Sequence, residues 1–255
     1  VLWLMAGLGA WWWLAVWAVL NLFQLIGIWI YPAVIAPLFN TFTPLPDGEI
    51  AQRVAQLLAR TGYVARGLFV MDASRRSGHG NAYFTGVGRT KRIVFFDTLL
   101  TQLTPAQVEA VLAHEIGHDQ HRHIIKMIVM NAVATLAGLA VLAWLLPQAW
   151  LYAGLGVNEP SMAVALVLFL LVVPVATFMF DPLLSAWSRR MKFEADAYAV
   201  AHTNGTDMIG ALVSIYRDNA GTLTPDPLYA AYHYSHPPAS ERIAGIAAKD
   251  THHVR

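Results

Sequence analysis

His114-Glu115-Ile116-Gly117-His118 has the form H-E-x-x-H. On a helix this spacing sets two imidazoles one turn apart on one face, close enough to share a zinc ion. The carboxylate of Glu115 stands beside them to take a proton from metal-bound water. The chemistry such a pattern supports is metal-assisted hydrolysis. The chain has no cysteine, which excludes thiolate ligands, disulfides and cysteine nucleophiles together, so a metal must rest on His and carboxylate. His121 and His123 follow in the same segment. Zinc held between His114 and His118 leaves His121 a turn too far along, and both read as surface residues or as partners of a ligand. A third ligand has to come from a separate element, for which Lys192-Phe193-Glu194-Ala195-Asp196 is the candidate segment.

The elements that must position these residues can be read locally. Thr104-Pro105-Ala106-Gln107 has the composition of a helix start, with a hydroxyl cap, proline at the first helical position and Gln three residues after the cap. The helix is expected from Pro105 through at least Lys126, running on into an apolar segment. Upstream, Ile50, Val54, Leu57 and Leu58 recur at i, i+4, i+7 and i+8, an amphipathic helix ending near Gly62. Residues 68–71 read as a buried strand. Residues 81–86 and 92–97 read as two further strands around Gly88-Arg89-Thr90-Lys91, which has hairpin-turn composition. A polar helix is expected over residues 185–202.

The remainder of the chain belongs in a bilayer. Hydrophobic residues make up 56% of the 255 and charged residues only 13%, about half the charged share of ordinary soluble domains. No charge occurs over residues 1–46, 127–158 or 161–180, and each stretch holds an apolar run near the roughly 20 residues a spanning helix needs. Spans are expected at residues 1–30, 128–146 and 162–180. In the first, Trp11-Trp12-Trp13 sits near an interface and Pro32 marks the end; in the third, Pro174 makes a kink that membrane helices tolerate. Residues 37–46, broken by Pro37, Pro44 and Pro46, read as a membrane-surface loop. The near balance of 16 acidic and 17 basic residues leaves no field for nucleic acid.

Ten of the 17 basic residues fall between Arg53 and Lys126 and seven between Arg189 and Arg255, with none between the second and third spans. The positive-inside rule then puts both polar segments in the cytoplasm. The expected fold is mainly α and integral to the membrane: about three spanning helices, and a cytoplasmic zincin-like helical part with a small antiparallel β element. Four segments follow. Residues 1–46 are a span and a proline-rich loop, and 47–126 a catalytic part with the H-E-x-x-H helix. Residues 127–184 are a transmembrane hairpin, and 185–255 a cytoplasmic part completing the zinc site. The sequence opens on Val1 with no basic leader and no small-residue cleavage site after a short apolar core, so it reads as a fragment lacking upstream helices rather than as a chain with a signal peptide.

A resemblance sharpens this reading. Tyr31-Pro32-Ala33-Val34-Ile35-Ala36-Pro37-Leu38-Phe39-Asn40, Phe42-Thr43-Pro44-Leu45-Pro46, Asn81-Ala82-Tyr83-Phe84-Thr85-Gly86 and Lys91-Arg92-Ile93-Val94 come first. The H-E-x-x-H segment, Phe193-Glu194-Ala195-Asp196-Ala197-Tyr198-Ala199, Ser235-His236-Pro237-Pro238 and Glu241-Arg242-Ile243 follow. Together and in this order they resemble the type I CAAX prenyl endopeptidases, membrane zinc metallopeptidases, and specifically a bacterial, amino-terminally truncated relative. The resemblance implies one Zn2+ per chain with His114 and His118 as ligands and Glu115 as general base. It implies that Asn81, Ala82 and Tyr83 lie on an edge strand that pairs with the substrate backbone. His236 would hold the oxyanion, and Asp196 would orient a ligand histidine. The partners implied are membrane lipids and a peptide or protein substrate, lipidated or not. The setting implied is a multi-pass protein of the bacterial inner membrane with its site on the cytoplasmic side.

One position departs from the family. Its third ligand is a Glu four residues before the Asp, and Lys192 stands there. Glu194, the fallback, lies two residues on, about 200° around the helix. Lysine ligates only when neutral, and lowering its pKa from about 10.4 to 7 costs about 4 to 5 kcal/mol. Three outcomes are open: a weak or inactive site of two histidines and waters, a rearranged helix on which Glu194 ligates, or Lys192 as an altered residue in an otherwise ordinary enzyme sequence. The expected function is a membrane-embedded zinc metalloendopeptidase cleaving CAAX-type or other membrane-associated proteins, with zinc binding impaired. The alternatives are a decayed scaffold that binds extended or lipidated peptides, and an HtpX-type membrane quality-control protease.

Overall fold

The computed structural model describes residues 1–85, 91–218, 222 and 225–253. In chain order the helices begin with α1 (Leu2–Gly7), a 3-10 turn at Gly9–Trp11, and α2 (Trp12–Ile30). The expected unbroken first helix is therefore interrupted, where Gly9 takes φ +52°, a conformation glycine adopts without a Cβ clash. Nor does Pro32 end the helix. It continues through a π-helical stretch, Tyr31–Ile35, into α3 (Ala36–Phe39). The wider turn relieves the clash of a proline ring with the carbonyl of the preceding turn. The next elements are β1 (Phe42–Pro44), α4 (Glu49–Thr61), β2 (Gly67–Met71), β3 (Ala82–Thr85), β4 (Arg92–Phe96), α5 (Asp97–Gln102) and α6 (Pro105–Gln120). They are followed by α7 (His123–Leu145), α8 (Ala149–Gly154), α9 (Met162–Phe178), α10 (Asp181–His202), α11 (Gly205–Asp218), α12 (Pro227–His233) and α13 (Ala239–His253).

The chain divides into two compact units. The first comprises Val1–Trp29 and Ile124–Asp181. Its small core is Met5, Trp12, Val16, Leu139 and Leu142. The Trp17 indole donates to the Ala132 carbonyl at 2.8 Å, and Asn131 donates to Gln24 Oε1 at 2.7 Å. Around that core, large apolar side chains such as Phe23, Val133 and Leu171 face outward. That pattern suits hydrocarbon, where helices satisfy their own backbone groups. By length and composition, Gly9–Phe39 and His123–Leu145 can each cross a membrane, and Met162–Phe178 with Asp181–His202 makes up to a third span.

The second unit comprises Ile30–His123 and Pro182–Arg255. Its sheet has the order β1-β2-β4-β3, so β3 is an edge strand. β1 and β3 run antiparallel to their neighbours, but β2 and β4 pair in parallel, from Gly67 opposite Arg92 to Met71 opposite Phe96. The β element is thus mixed rather than antiparallel. The turn expected at Gly88-Arg89-Thr90-Lys91 falls mainly on residues 86–90, outside the described residues. One sheet face sends Ala82, Ile93 and Phe95 into a core shared with Val54 and Leu57 of α4, Val108, Leu112 and Ile116 of α6, Met208 and Leu212 of α11, and Ile246 of α13.

α6 starts as its sequence dictates. Thr104 accepts from the Gln107 amide at 3.3 Å and Gln107 Oε1 accepts from the Thr104 amide at 3.0 Å, closing a capping box. It stops at Gln120, short of the expected Lys126. Arg122 takes the left-handed conformation, φ +54°, and its amide bonds the Asp119 carbonyl at 2.9 Å. α7 then begins at His123. α6 also lies in backbone contact with α10. A Cβ on Gly117 would stand 2.9 Å from Tyr198 Cβ and 3.0 Å from Ala195 Cα, so the glycine of H-E-x-G-H permits the close approach.

Candidate metal centre

His114 is buried within α6, and its Nδ1 lies 2.8 Å from Asp196 Oδ1 of α10. The contact is off the hydrogen-bond direction, leaving Nδ1 without an aligned partner. Arg242 of α13 grips the same carboxylate bidentately, Nε to Oδ2 at 2.8 Å and Nη2 to Oδ1 at 2.6 Å. Burial alone would raise the Asp196 pKa, but the guanidinium and His114 hold it well below the usual carboxylate range. Asp196 thus flanks the Nδ1 side of the His114 ring at contact distance and leaves Nε2 for a metal. Arg242 was not singled out by its chemistry in the sequence. Its signal is position: it lies four residues before Ile246, on the buried face of α13, where a cation calls for a carboxylate.

His118, one turn on, packs edge to face against His114 with ring centroids 4.8 Å apart. Its Nδ1 is 2.7 Å from Nδ1 of the buried His123, and its Nε2 is 3.1 Å from Lys192 Nζ. Burial, then the charges of His114 and Lys192, push the His118 pKa down to about 2, so the ring is neutral and keeps a lone pair. Burial also lowers the Lys192 pKa from its ordinary value, against the opposing charge of Glu115. Glu194 does not reach the two histidines of the motif. Its Oε2 lies 3.1 Å from His123 Nε2 and its Oε1 accepts from Arg190 Nε at 3.0 Å. His121 is exposed and His123 buried.

A cavity of about 210 Å³ opens over these groups, lined by Asn81, Ala82, His114, Glu115, Lys192 and His236, among others. Glu115 therefore has access to anything bound there. His236 sits at the rim in the turn after α12, largely exposed, with Ser235 Oγ 3.2 Å from its Nδ1. Partial desolvation, then the charges of Lys192 and Arg242, hold its pKa below the ordinary value. Tyr83 is not on the cavity wall. Strand alternation turns its ring to the opposite sheet face, where it meets Phe96 at 6.1 Å and its hydroxyl lies 3.9 Å from Met71 Sδ. Its main chain nonetheless shares the β3 edge with Ala82.

The residues present fit zinc at two of three positions. Both imidazoles meet a neighbour at Nδ1, and a carboxylate stands beside them, as a catalytic site requires. The third position carries an amine whose Nζ stands against a ligating nitrogen, so zinc and a charged Lys192 exclude each other.

Comparison with known proteins adds context. Residues 44–250 match the model of peptidase family M48, and residues 1–41 match the CAAX prenyl protease N-terminal domain, described as five membrane helices. The chain is 38% identical to the CAAX prenyl protease 1 homolog of Arabidopsis thaliana, covering 92% of this chain and 55% of the relative. It is 35% identical to the CAAX prenyl protease 1 of Saccharomyces cerevisiae, over 88% of this chain and 53% of that protein. The crystal structure of S. mikatae Ste24p is similar with a TM-score of 0.81 and 35% identity, covering 92% of this chain and 58% of that one. The chain thus spans little more than half the length of the curated relatives it matches.

Proposed function

We infer the function from one premise: this chain belongs to peptidase family M48, and it is an integral membrane protein. On that premise it is a membrane-embedded zinc metalloendopeptidase of the CAAX prenyl protease type, with metal binding impaired by Lys192. The observation that carries both halves is the pair His114 and His118, each contacted at Nδ1, with Lys192 Nζ 3.1 Å from His118 Nε2.

One zinc ion per chain would be held by His114 and His118, and when bound it supplies polarisation of the scissile carbonyl and of a water. The chain's own residues do the rest. Glu115, in the cavity, takes the water proton and passes it to the leaving amine. His236, at the rim, donates a hydrogen bond to the oxyanion. The β3 edge, through the main chain of Asn81, Ala82 and Tyr83, pairs with an extended substrate peptide. Asp196, clamped by Arg242, keeps His114 in its ligating orientation.

The substrates on this reading are peptide bonds of CAAX-type or other membrane-associated proteins, lipidated or not, reached from the cytoplasmic side of a bacterial inner membrane. The basic residues of the second unit support that side. A second reading, a non-catalytic membrane scaffold that holds extended or lipidated peptides on the same edge, is favoured by the Lys192 contact alone.

Zinc stoichiometry and peptide cleavage, measured on the detergent-solubilised chain, test the proposal. Lys192→Glu raises zinc affinity, by roughly three decades from removing the cost of neutralising lysine alone, and raises cleavage with it. Adding Glu115→Gln keeps the zinc and abolishes cleavage. Equal zinc content and equal cleavage in the unsubstituted chain and Lys192→Glu would refute the reading.

A further inference from the structure

Glu194 stands outside the metal position, yet it is joined to it. Four contacts run in series: Lys192 Nζ to His118 Nε2 at 3.1 Å, His118 Nδ1 to His123 Nδ1 at 2.7 Å, His123 Nε2 to Glu194 Oε2 at 3.1 Å, and Arg190 Nε to Glu194 Oε1 at 3.0 Å. Donor counting gives this series a direction. A lysine ammonium only donates, so His118 Nε2 accepts and the His118 proton sits on Nδ1. His118 therefore donates to His123 Nδ1. His123 in turn carries its proton on Nε2 and donates it to the Glu194 carboxylate, an acceptor that also takes the Arg190 N–H. With Lys192 an ammonium and both rings neutral, this is the placement that satisfies the four contacts.

We propose that Glu194 is a positioning residue: acting through His123, it holds His118 in the tautomer with the proton on Nδ1 and the lone pair on Nε2, the form that ligates zinc. The role follows from what each end of the series demands. Zinc, like the lysine ammonium, calls for a lone pair on His118 Nε2, so the same tautomer serves the site with either occupant. A carboxylate at the far end stabilises it, because only His123 with its proton on Nε2 can donate to Glu194, and only that form accepts from His118. The two motif histidines are then backed alike, His114 directly by Asp196 and His118 by Glu194 through one intervening ring. The left-handed turn at Arg122 is what brings His123 into line, since a continuous helix through Lys126 would carry it past His118.

The same count disposes of another use for these groups. Donor atoms of His121, His123 and Glu194 lie within 4.8 Å of one another, and two imidazoles with a carboxylate are a set that takes a transition metal. His123 Nε2 carries a proton in the series above, and a cation there would reverse both rings and take the lone pair from His118 Nε2.

This inference rests on the proposed zinc site, and its test separates the two. In the unsubstituted chain with 15N-labelled histidine, long-range nitrogen–proton correlation reads each tautomer without any metal. His118 is expected with its proton on Nδ1, and Glu194→Leu is expected to shift the His118 and His123 populations towards the other form. A His118 proton on Nε2, or tautomers indifferent to Glu194→Leu, overturns the proposal whatever the zinc measurements give. On the Lys192→Glu background, Glu194→Gln, which keeps an acceptor oxygen, weakens zinc several-fold. Glu194→Leu weakens it about 10- to 100-fold, the usual effect of losing a group that orients a metal ligand. The apo-protein melting temperatures stay together. Unchanged zinc affinity in both variants overturns the proposal. Absence of zinc binding by Lys192→Glu itself refutes the metal-site reading, and the tautomers still decide the role of Glu194.

Discussion

Arg242→Met is the substitution whose effect the geometry specifies best. It removes two hydrogen bonds of 2.8 and 2.6 Å to a carboxylate whose side chain is 4% exposed, while the guanidinium side chain itself is 9% exposed. Solvent cannot replace what is lost. Breaking a buried pair by removing one partner costs about 3 to 5 kcal/mol, because the remaining charge is left uncompensated. At about 2 to 4 °C per kcal/mol for a chain of this size, the melting temperature falls by roughly 6 to 20 °C. The double variant Asp196→Asn/Arg242→Met should recover much of that loss, since neither charge is then stranded. The assay is thermal unfolding of the detergent-solubilised protein in all four states of the cycle, at fixed detergent and without added metal, so that the coupling between the two positions is read directly. A fall below about 1 kcal/mol for Arg242→Met, the level of an exposed pair, would refute the reasoning. So would a double variant no more stable than the single one.

Other outcomes follow from single contacts. Gly117→Ala, which would favour an isolated helix by about 1 kcal/mol, here drives a methyl to 2.9 and 3.0 Å from Tyr198 Cβ and Ala195 Cα and should instead destabilise by about 1 to 3 kcal/mol, seen as a lowered melting temperature. Arg122→Gly relieves a left-handed residue at φ +54° and should stabilise by roughly 0.5 to 1 kcal/mol after the added chain entropy of glycine; a lower melting temperature would count against the conformation described. Burial acts to raise the Asp97 pKa, but the Ser74 hydroxyl at 2.5 Å, the Ser74 amide at 2.9 Å and the Thr98 amide at 2.8 Å bring it below its ordinary value. With the folded pKa below an unfolded value of about 3.9, the stabilisation is present above about pH 4 and lost as pH falls through the folded value. Asp97→Asn should therefore melt below the unsubstituted chain at pH 7 and converge with it below about pH 4.

What could be read in the sequence was local. The capping box of Thr104 and Gln107, the stop at Gly62 and the shared face of His114 and His118 depend on residues within a turn or two of one another, and the spacing contains them. The expected offset of Glu194 from Lys192 is likewise a property of one helix. The pairings that complete the site join distant segments. Arg242 meets Asp196 across 46 residues, and nothing in either neighbourhood names the other. The parallel pairing of β2 with β4 is hidden for the same reason, since two short apolar runs do not state their relative direction. Two breaks were missed in opposite senses. Pro32 was read as a stop because a π-helical turn leaves no compositional mark, and the end of α6 was missed because Arg122 is not a residue type that announces a left-handed turn. That second error concealed the contact of His123 with His118.

The close seating of α6 on α10 at Gly117 has an evolutionary consequence. With backbone against backbone, neither helix can slide to accommodate a foreign side chain, so the groups around Lys192 keep their stations whatever that residue is. The Asp196 clamp, and the contact of His123 with Glu194, are made by other residues. Both lysine codons become glutamate codons by an A-to-G change at the first base. On the proposed reading, the metal-binding form then lies a single point mutation away, with the rest of the site kept in register.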